Sequence, residues 1–232
     1  MTRISGARGV LVVGALLLAS ACSQGADAPQ GADAPRAASS GSQDSSWLAL
    51  RPVLSEQPIS STPGSPAGVP SGATPGASPT DGSDLAWIDA DLLAQAQALR
   101  CSDHAVPAKS LPERPLAACS QQGDRFYLLG PAEVRLSDIA DASAAAEAGG
   151  ASGQWSVKLR TTAAGQETFR RMTQRLVALP GARNQLAIVV DSVVISAPSV
   201  AAAIDVGLLQ ISGAFDETQA TALADRIRRS VR

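Results

Sequence analysis

The three cysteines and the one histidine of this chain are the side chains best suited to covalent or metal chemistry. Cys101 and Cys119 enclose a proline-containing segment that also holds Asp103 and His104. Thiolate, imidazole and carboxylate groups all bind zinc, so these four residues form a candidate metal site, although their spacing matches no common zinc motif. The other interpretation is a disulfide between Cys101 and Cys119, which we predict if the chain enters an oxidising compartment.

The N-terminal segment predicts such a compartment. Arg3 and Arg8 precede an apolar run over residues 9–18 that is too short to cross a bilayer as a stable helix. This order, followed by small residues, is typical of a secretory signal peptide that is removed from the mature protein. We therefore expect the folded part of the chain to lie outside the cytoplasm.

Cys22 follows the small residues at the end of this signal, in the order Leu-Ala-Ser-Ala-Cys, which resembles a bacterial lipobox. The resemblance implies that residues 1–22 are a lipoprotein signal and that Cys22 is acylated. Two or more acyl chains give stable membrane anchoring. Ala19 stands where the lipobox prefers Leu, and the alternative is an ordinary Ala-Ser-Ala cleavage site that releases the protein.

Two further segments are too polar and too rich in Gly and Pro to fold. Residues 23–46 contain the sequence Gln-Gly-Ala-Asp-Ala-Pro twice in tandem and predict a disordered tether. Residues 57–83 are rich in Pro, Gly, Ser and Thr and predict a disordered insertion. We expect folded structure from residue 47 onward on either side of this insertion.

Composition argues against several functional classes. The chain has 19 Lys and Arg against 21 Asp and Glu, a formal net charge of -2, so there is no general basic field to attract nucleic acid. His104 is the only histidine, and no common catalytic, phosphate-binding or dinucleotide-binding motif occurs. We predict a binding protein without enzymatic activity, cofactor, metal or small-molecule substrate.

The region before residue 150 predicts alternating strands and helices. Residues 47–54 alternate like a strand, and Arg51-Pro52 is expected to confine it to a sheet edge. Asp84 is expected to open a helix over residues 85–100. The segment between the cysteines is predicted to be irregular, residues 125–129 a strand, and Ser137 the cap of an alanine-rich helix ending near Ala146.

The last eighty residues carry the clearest patterns. We predict a strand at residues 155–159, a helix from Thr162 to Leu179, and two strands joined at Asp191-Ser192 as a hairpin. A strand at residues 208–212 and a final helix opened by an Asp216 and Gln219 capping box follow. The whole predicts an α+β fold with a largely antiparallel sheet and helices packed on one side.

Three ordered motifs in this part resemble a known family. Residues 186–191, 194–198 and 210–215 are similar to the head subdomain of the first extracytoplasmic domain of SecD, the protein-export subunit. The cysteine pair and residues 127–132 resemble actinobacterial SecD proteins. The resemblance implies a ferredoxin-like head at 130–232 after a base region at 47–129.

In that family a transmembrane helix precedes this domain, five more follow it, and the proton-coupling groups lie in those helices. This sequence has none of these helices, so the resemblance implies no proton-driven motor. It implies instead a head domain that holds a polypeptide as it leaves the export channel. The expected partners are the membrane, through a lipid anchor on its outer face, and translocating polypeptides or components of the Sec translocon.

We expect the contact with polypeptide to use the second strand of the hairpin, or the groove beside it, because an exposed strand edge can pair with an extended chain of any sequence. The residues of this candidate contact are Val193, Val194, Ile195, Ser196, Ala197 and Pro198. Fold does not fix function, so the alternative is an envelope adaptor lipoprotein that keeps the SecD-like fold without a role in export.

Overall fold

The computed structural model describes residues 47–59, 77–101, 110–147 and 154–232, and all of them fall in one structural unit, Ser40–Arg232. The predicted signal at 1–22 with Cys22, the tether at 23–46 and the middle of the predicted insertion lie outside the described residues. Asp103 and His104 also lie outside them. The predictions for these segments therefore stay predictions. At the two ends of the predicted insertion disorder is wrong, because Gln57 and Pro58 belong to a strand and Ser83 is buried.

The described residues form strands and helices in a mixed order along the chain. The strands are β1 (Leu48–Pro58), β2 (Leu116–Cys119), β3 (Arg125–Leu129), β4 (Val134–Arg135), β5 (Ile139–Ala146), β6 (Trp155–Thr161), β7 (Leu186–Val190), β8 (Val193–Ser196) and β9 (Leu208–Phe215). The helices are α1 (Ala90–Ala98), α2 (Ala163–Leu176) and α3 (Glu217–Ser230). This arrangement confirms the predicted α+β class with antiparallel sheets.

The larger sheet has the strand order β2-β3-β1-β7-β8, and β4 also pairs with β1. All of these pairings are antiparallel. The sheet curls so far that its two end strands meet. Just after β2, the backbone N–H of Gln121 donates to the carbonyl of Val194 in β8 over 2.9 Å, and Ser120 forms a β-bridge with Val194. Both end strands of this sheet therefore have a partner for part of their length.

The smaller sheet has the order β5-β6-β9 and is antiparallel throughout. Helices α2 and α3 pack on one face of it and bury Phe169, Met172 and Ile227 in the main core with Val157 and Ile211 of the sheet. Charged side chains such as Lys158 and Arg160 face away from this core. The alternation along β6 produces this division, since successive side chains of a strand point to opposite faces.

Strand β1 is central in the larger sheet, and the prediction of an edge strand at Arg51-Pro52 is wrong. β7 pairs with one edge of β1, while the other edge pairs with β4 at Ala49 and Leu50 and with β3 from Val53 onward, so the proline falls between β4 and β3. The Pro52 carbonyl still accepts a hydrogen bond from the Gly130 N–H over 3.0 Å. A proline is tolerated here because its missing donor coincides with an interruption of the ladder.

The predicted alanine-rich helix from Ser137 is also wrong. Only a short 3-10 turn, Leu136–Asp138, forms there, and it leads into β5. Ala142 is fully buried beneath α3, while Ser143 between the alanines is exposed. The alanines have helix propensity, but pairing with β6 along the whole segment and packing under α3 override it.

The predicted helix at 85–100 is divided in two. Asp84 caps a 3-10 turn, Leu85–Trp87, as its side chain accepts from the Ala86 N–H over 2.9 Å. Asp89 then caps α1 by accepting from the Leu92 N–H over 2.8 Å. The prediction that the segment between the cysteines is irregular is wrong at its end, because residues 116–118 form β2 together with Cys119.

The predicted hairpin is confirmed. Asp191 and Ser192 have φ values of 49° and 66°, the left-handed conformation that a type I′ turn requires at both central positions. The helix opened by Thr162 is confirmed but ends at Leu176, ahead of Pro180. The Asp216 and Gln219 capping box is confirmed at the start of α3.

Candidate functional site

A groove of about 400 Å³ lies between the β7–β8 hairpin and the start of β9. The segment after β8 forms its remaining wall. The lining residues are Phe169, Leu186, Ile188, Pro198, Ser199, Val200, Ala201, Ala202, Ala203, Ile204, Leu208, Leu209 and Gln210.

The wall between β8 and β9 is held by hydrogen bonds. The Asn184 side-chain amide donates to the Val200 carbonyl over 3.0 Å and to the Leu176 carbonyl over 3.2 Å, joining this wall to the end of α2. The Ile204 N–H donates to Thr173 Oγ1 over 3.0 Å, and Thr173 is fully buried in α2. These contacts fix an otherwise irregular segment at both of its ends.

The groove is apolar along almost all of its lining. Ser199 and Gln210 supply its only polar side chains, and no ionisable side chain lines it. Groups of three or more metal-ligating side chains are absent from the parts of the chain that the structure describes. This lining favours burial of apolar side chains over any acid, base or nucleophilic chemistry.

One rim of the groove is an open strand edge. The Thr161 N–H donates to the Gly207 carbonyl over 2.9 Å, and in an antiparallel pair the hydrogen-bonded positions alternate. Residues 209 and 211 therefore form the hydrogen bonds to β6. The backbone groups of Leu208, Gln210 and Ser212 lie opposite β6 in the register but face away from it. Leu208 is also 64% exposed, the largest value among the exposed apolar side chains of the described residues.

The six residues predicted for polypeptide contact lie mostly outside this groove. Val194 is buried and its carbonyl accepts from Gln121, so the edge of β8 is already occupied at that position. Pro198 alone of the six lines the groove. Val193, Ile195, Ser196 and Ala197 are half-buried. The predicted contact at residues 193–198 stays a prediction, and the groove beside them offers the more open surface.

The other side of the groove, at β9, has only a weak signal in the sequence. Residues 208–212 were predicted as a strand, but nothing in that prediction showed that the strand ends a sheet. One signal was present, since residues 206–215 contain no charged residue or proline although Val206 and Leu208 are strongly exposed. An uncharged edge with exposed apolar side chains is unusual in a soluble protein surface.

The candidate zinc site is replaced by a disulfide. Cys101 and Cys119 are bonded, with 5.5 Å between their Cα atoms, and join the segment after α1 to the end of β2. Both sulfur atoms are then unavailable as thiolate ligands. No helix among the described ranges is both long and apolar enough to cross a membrane.

A comparison with protein families shows the family to which this chain is related. The family model described as the P1 head subdomain of SecDF matches residues 112–230. This chain belongs to the SecDF P1 head family. The match includes β2 to β9 with the groove, and confirms the resemblance that the motifs of β7, β8 and β9 indicate.

A curated relative supports this assignment to the SecDF P1 head family. The protein translocase subunit SecD of Streptomyces coelicolor is 35% identical over 145 residues, which are 60% of this chain and 25% of SecD. The chain thus spans about a quarter of the length of the curated relative that it matches.

Two solved structures of SecDF also align with this head. One, a crystal structure in a super-membrane-facing form, covers 78% of this chain and 18% of SecDF, with 23% identity and a TM-score of 0.43. The other, of a membrane component that enhances protein export, covers 79% of this chain and 62% of its own, with the same identity and TM-score.

Proposed function

We propose that this protein is a membrane-anchored accessory to protein export whose extracytoplasmic head contacts translocating polypeptides. Membership of the SecDF P1 head family supports the link with export, since the curated relative is a translocase subunit. The observation that carries the contact is the apolar groove beside an open strand edge. A polypeptide emerging from a channel is unfolded and presents the two features that such a groove binds, apolar side chains and unpaired backbone groups.

The lining of the groove suits many clients. Aliphatic side chains such as Ile188, Ile204 and Leu209 provide contact area without directional demands, so burial stabilises a range of apolar client residues. The affinity expected for a short segment in such a groove is modest, because an unfolded chain loses conformational entropy when it is ordered. Modest affinity suits a contact that must release its client.

The anchor in this proposal is the acylated Cys22. The 23–46 tether between that residue and the fold has the composition of a flexible chain. A chain of this kind spans about 5–6 Å times the square root of its length, or roughly 25–30 Å here. The head can then search the space above the membrane surface while it stays close to the export channel.

Photocrosslinking tests the contact. A photoreactive amino acid replaces Leu208 at the groove, and in a matched variant it replaces Leu111, an apolar residue that is 55% exposed and does not line the groove. In cells that are exporting protein, we expect secreted chains to crosslink strongly to position 208 and weakly to position 111. Equal crosslinking at the two positions would contradict the proposal.

Recovery of partners from native membranes separates export from the adaptor function. Translocon components recovered with the wild-type chain support a role in export. Recovery of cell-wall proteins without the translocon favours the adaptor. A Cys22→Ser variant tests the anchor in the same preparation, because we expect it to leave the membrane fraction while the wild-type chain remains there.

A further inference from the structure

Two strands form open edges of the smaller sheet, and they differ in how they are protected. β5 contains Asp141, is followed by Glu147, and has an irregular register between Ile139 and Asp141. Charges and bulges are common means of keeping a foreign strand from pairing with a sheet edge. Helix α3 also packs closely on β5. This edge has the protection expected of a soluble protein.

The β9 edge lacks that protection. Its eight residues contain no charge and no proline, and its first half is regular up to Ser212. Leu208, Gln210 and Ser212 direct their backbone donors and acceptors away from β6, and no other described residue forms a hydrogen bond with these backbone groups. The Gln210 side chain donates to Glu147 and Ser212, which leaves the backbone edge open. An edge of this kind readily accepts an added strand.

The open part of β9 has a definite limit. A Cβ atom on Gly213 would lie 3.2 Å from Cγ2 of Ile195, so β8 approaches β9 closely at that point. An added strand therefore has access to residues 208–212, a length of about 14 Å at the usual rise per residue. This stretch begins beside the groove, since residues 208, 209 and 210 line it.

The geometry points to β9, and not β8, as the strand that accepts a client polypeptide, and to clients in which apolar and polar residues alternate. This inference rests on the function proposed above. A chain paired with β9 places every second side chain on the face of Leu209, within the groove, and the others on the exposed face of Leu208 and Gln210. A segment with alternating valine and serine satisfies both faces, whereas the same residues in two blocks do not.

Peptide binding to the purified full-length chain tests this inference. The probes are a fluorescent peptide of alternating valine and serine, a peptide of the same composition in two blocks, and the alternating peptide with N-methyl groups on every second amide. We expect the alternating peptide to bind most tightly by fluorescence anisotropy. N-methylation should weaken it about tenfold, since it removes one or two hydrogen bonds to the β9 edge.

Two proline variants provide the matched comparison on the protein. Gln210→Pro removes a backbone donor that faces away from β6, so it costs no bond of the sheet. Ala146→Pro does the same on β5, because Ala146 lies between two hydrogen-bonded positions and is exposed. We expect Gln210→Pro to weaken the alternating peptide about tenfold and Ala146→Pro to leave its affinity unchanged.

Equal loss of affinity in both proline variants, or equal binding of the methylated and unmethylated peptides, would overturn the inference. If Gln210→Pro fails to fold, the methylated peptide still decides, because that comparison uses the unaltered protein. If secreted chains crosslink to Leu208 but methylation of the peptide does not change its affinity, polypeptide contact is supported and strand addition to β9 is rejected. The two proposals are therefore separable.

Discussion

The two sheets of this chain differ in whether their edge strands have a partner. The larger sheet curls until Gln121 and Val194 join its ends, and a disulfide and a buried arginine reinforce it. The smaller sheet leaves β9 open beside an apolar groove. The two sheets also share the main core, in which Leu48 and Ile188 of the larger sheet pack with Val157 of the smaller one, so the joined sheet supports the open edge.

Arg51 of the larger sheet is a buried charged residue that joins three backbone segments. Its side chain is 0% exposed and donates to the carbonyls of Arg114, Gly130 and Leu111 over 2.7, 2.9 and 3.1 Å. Burial, and secondly the positive charge of Arg135, lower the pKa of Arg51 to about 10. The three carbonyls offset the cost of burying the charge, because they accept hydrogen bonds from the guanidinium N–H groups. These bonds join the segment before β2 to the end of β3.

The largest predicted effect is therefore that of Arg51→Met. We expect this variant to lower the free energy of unfolding by about 4 kcal/mol, because three carbonyls lose their donor in a buried environment. Urea denaturation measures the loss. Arg114→Met is the control, since it removes an exposed guanidinium and keeps the Arg114 carbonyl, and it should change stability by less than about 0.5 kcal/mol. Similar losses in both variants would show that the buried contacts are not the cause.

The disulfide should have the next largest effect, and within the larger sheet alone. Replacing Cys101 and Cys119 together by Ser should cost about 3 kcal/mol in the chain-entropy description of a loop of this size. Hydrogen exchange should accelerate first in α1, whose Leu92 packs in a small cluster with Leu54 and Leu128. Equal acceleration in α2 would mean that the two regions unfold as one unit.

Local signals in the sequence predicted the elements whose ends are fixed by a few neighbouring residues. Thr162, the Asp216 capping box and the Asp191-Ser192 turn each act within four residues of themselves, and all three are in place. The family motifs of β7 to β9 predicted the fold class for a related reason, because they combine these signals in one order.

Elements whose structure depends on distant partners could not be predicted from the local sequence. β5 resembles a helix until β6 and α3 pair and pack with it, and β1 resembles an edge until β3 and β7 share it. The groove is assembled from α2, β7, β9 and the segment after β8, so no contiguous stretch of sequence carries its shape. Whether a strand ends a sheet is decided by topology, so the sequence of β8 does not show that Gln121 bonds to the carbonyl of Val194.

Asp216→Ala tests the stability of α3, the helix that packs on the smaller sheet. The Asp216 carboxylate accepts from the Gln219 N–H over 2.8 Å, and the Gln219 side chain accepts from the Asp216 N–H over 3.1 Å. Loss of this capping box should destabilise the fold by about 1 kcal/mol and increase hydrogen exchange in α3. Thr218→Ala, an exposed change in the same turn, is the control. Increased exchange confined to α1 would contradict the assignment of α3 to the smaller sheet.

The smallest predicted effect lies at a surface contact between the two regions, outside the core that they share. Arg226 of α3 stacks over Trp47 at the start of β1, 3.8 Å from the ring centroid, and donates to both carboxylate oxygens of Asp191 over 2.5 and 2.8 Å. The hydrogen bonds to Asp191 raise the pKa of Arg226, but both partners are about half exposed, so solvent screens their attraction.

We expect Arg226→Gln to cost about 0.5 kcal/mol, the usual contribution of an exposed cation–π contact or ion pair, and to shift the fluorescence of Trp47. Asp191→Asn tests the ion pair alone and should cost less, because the cation remains over the ring. Melting curves at several salt concentrations measure the contribution of the ion pair, because salt screens the attraction between exposed charges. If Arg226→Gln costs as much as loss of the disulfide, the two regions are coupled through α3, and an occupied groove should then stabilise the larger sheet as well.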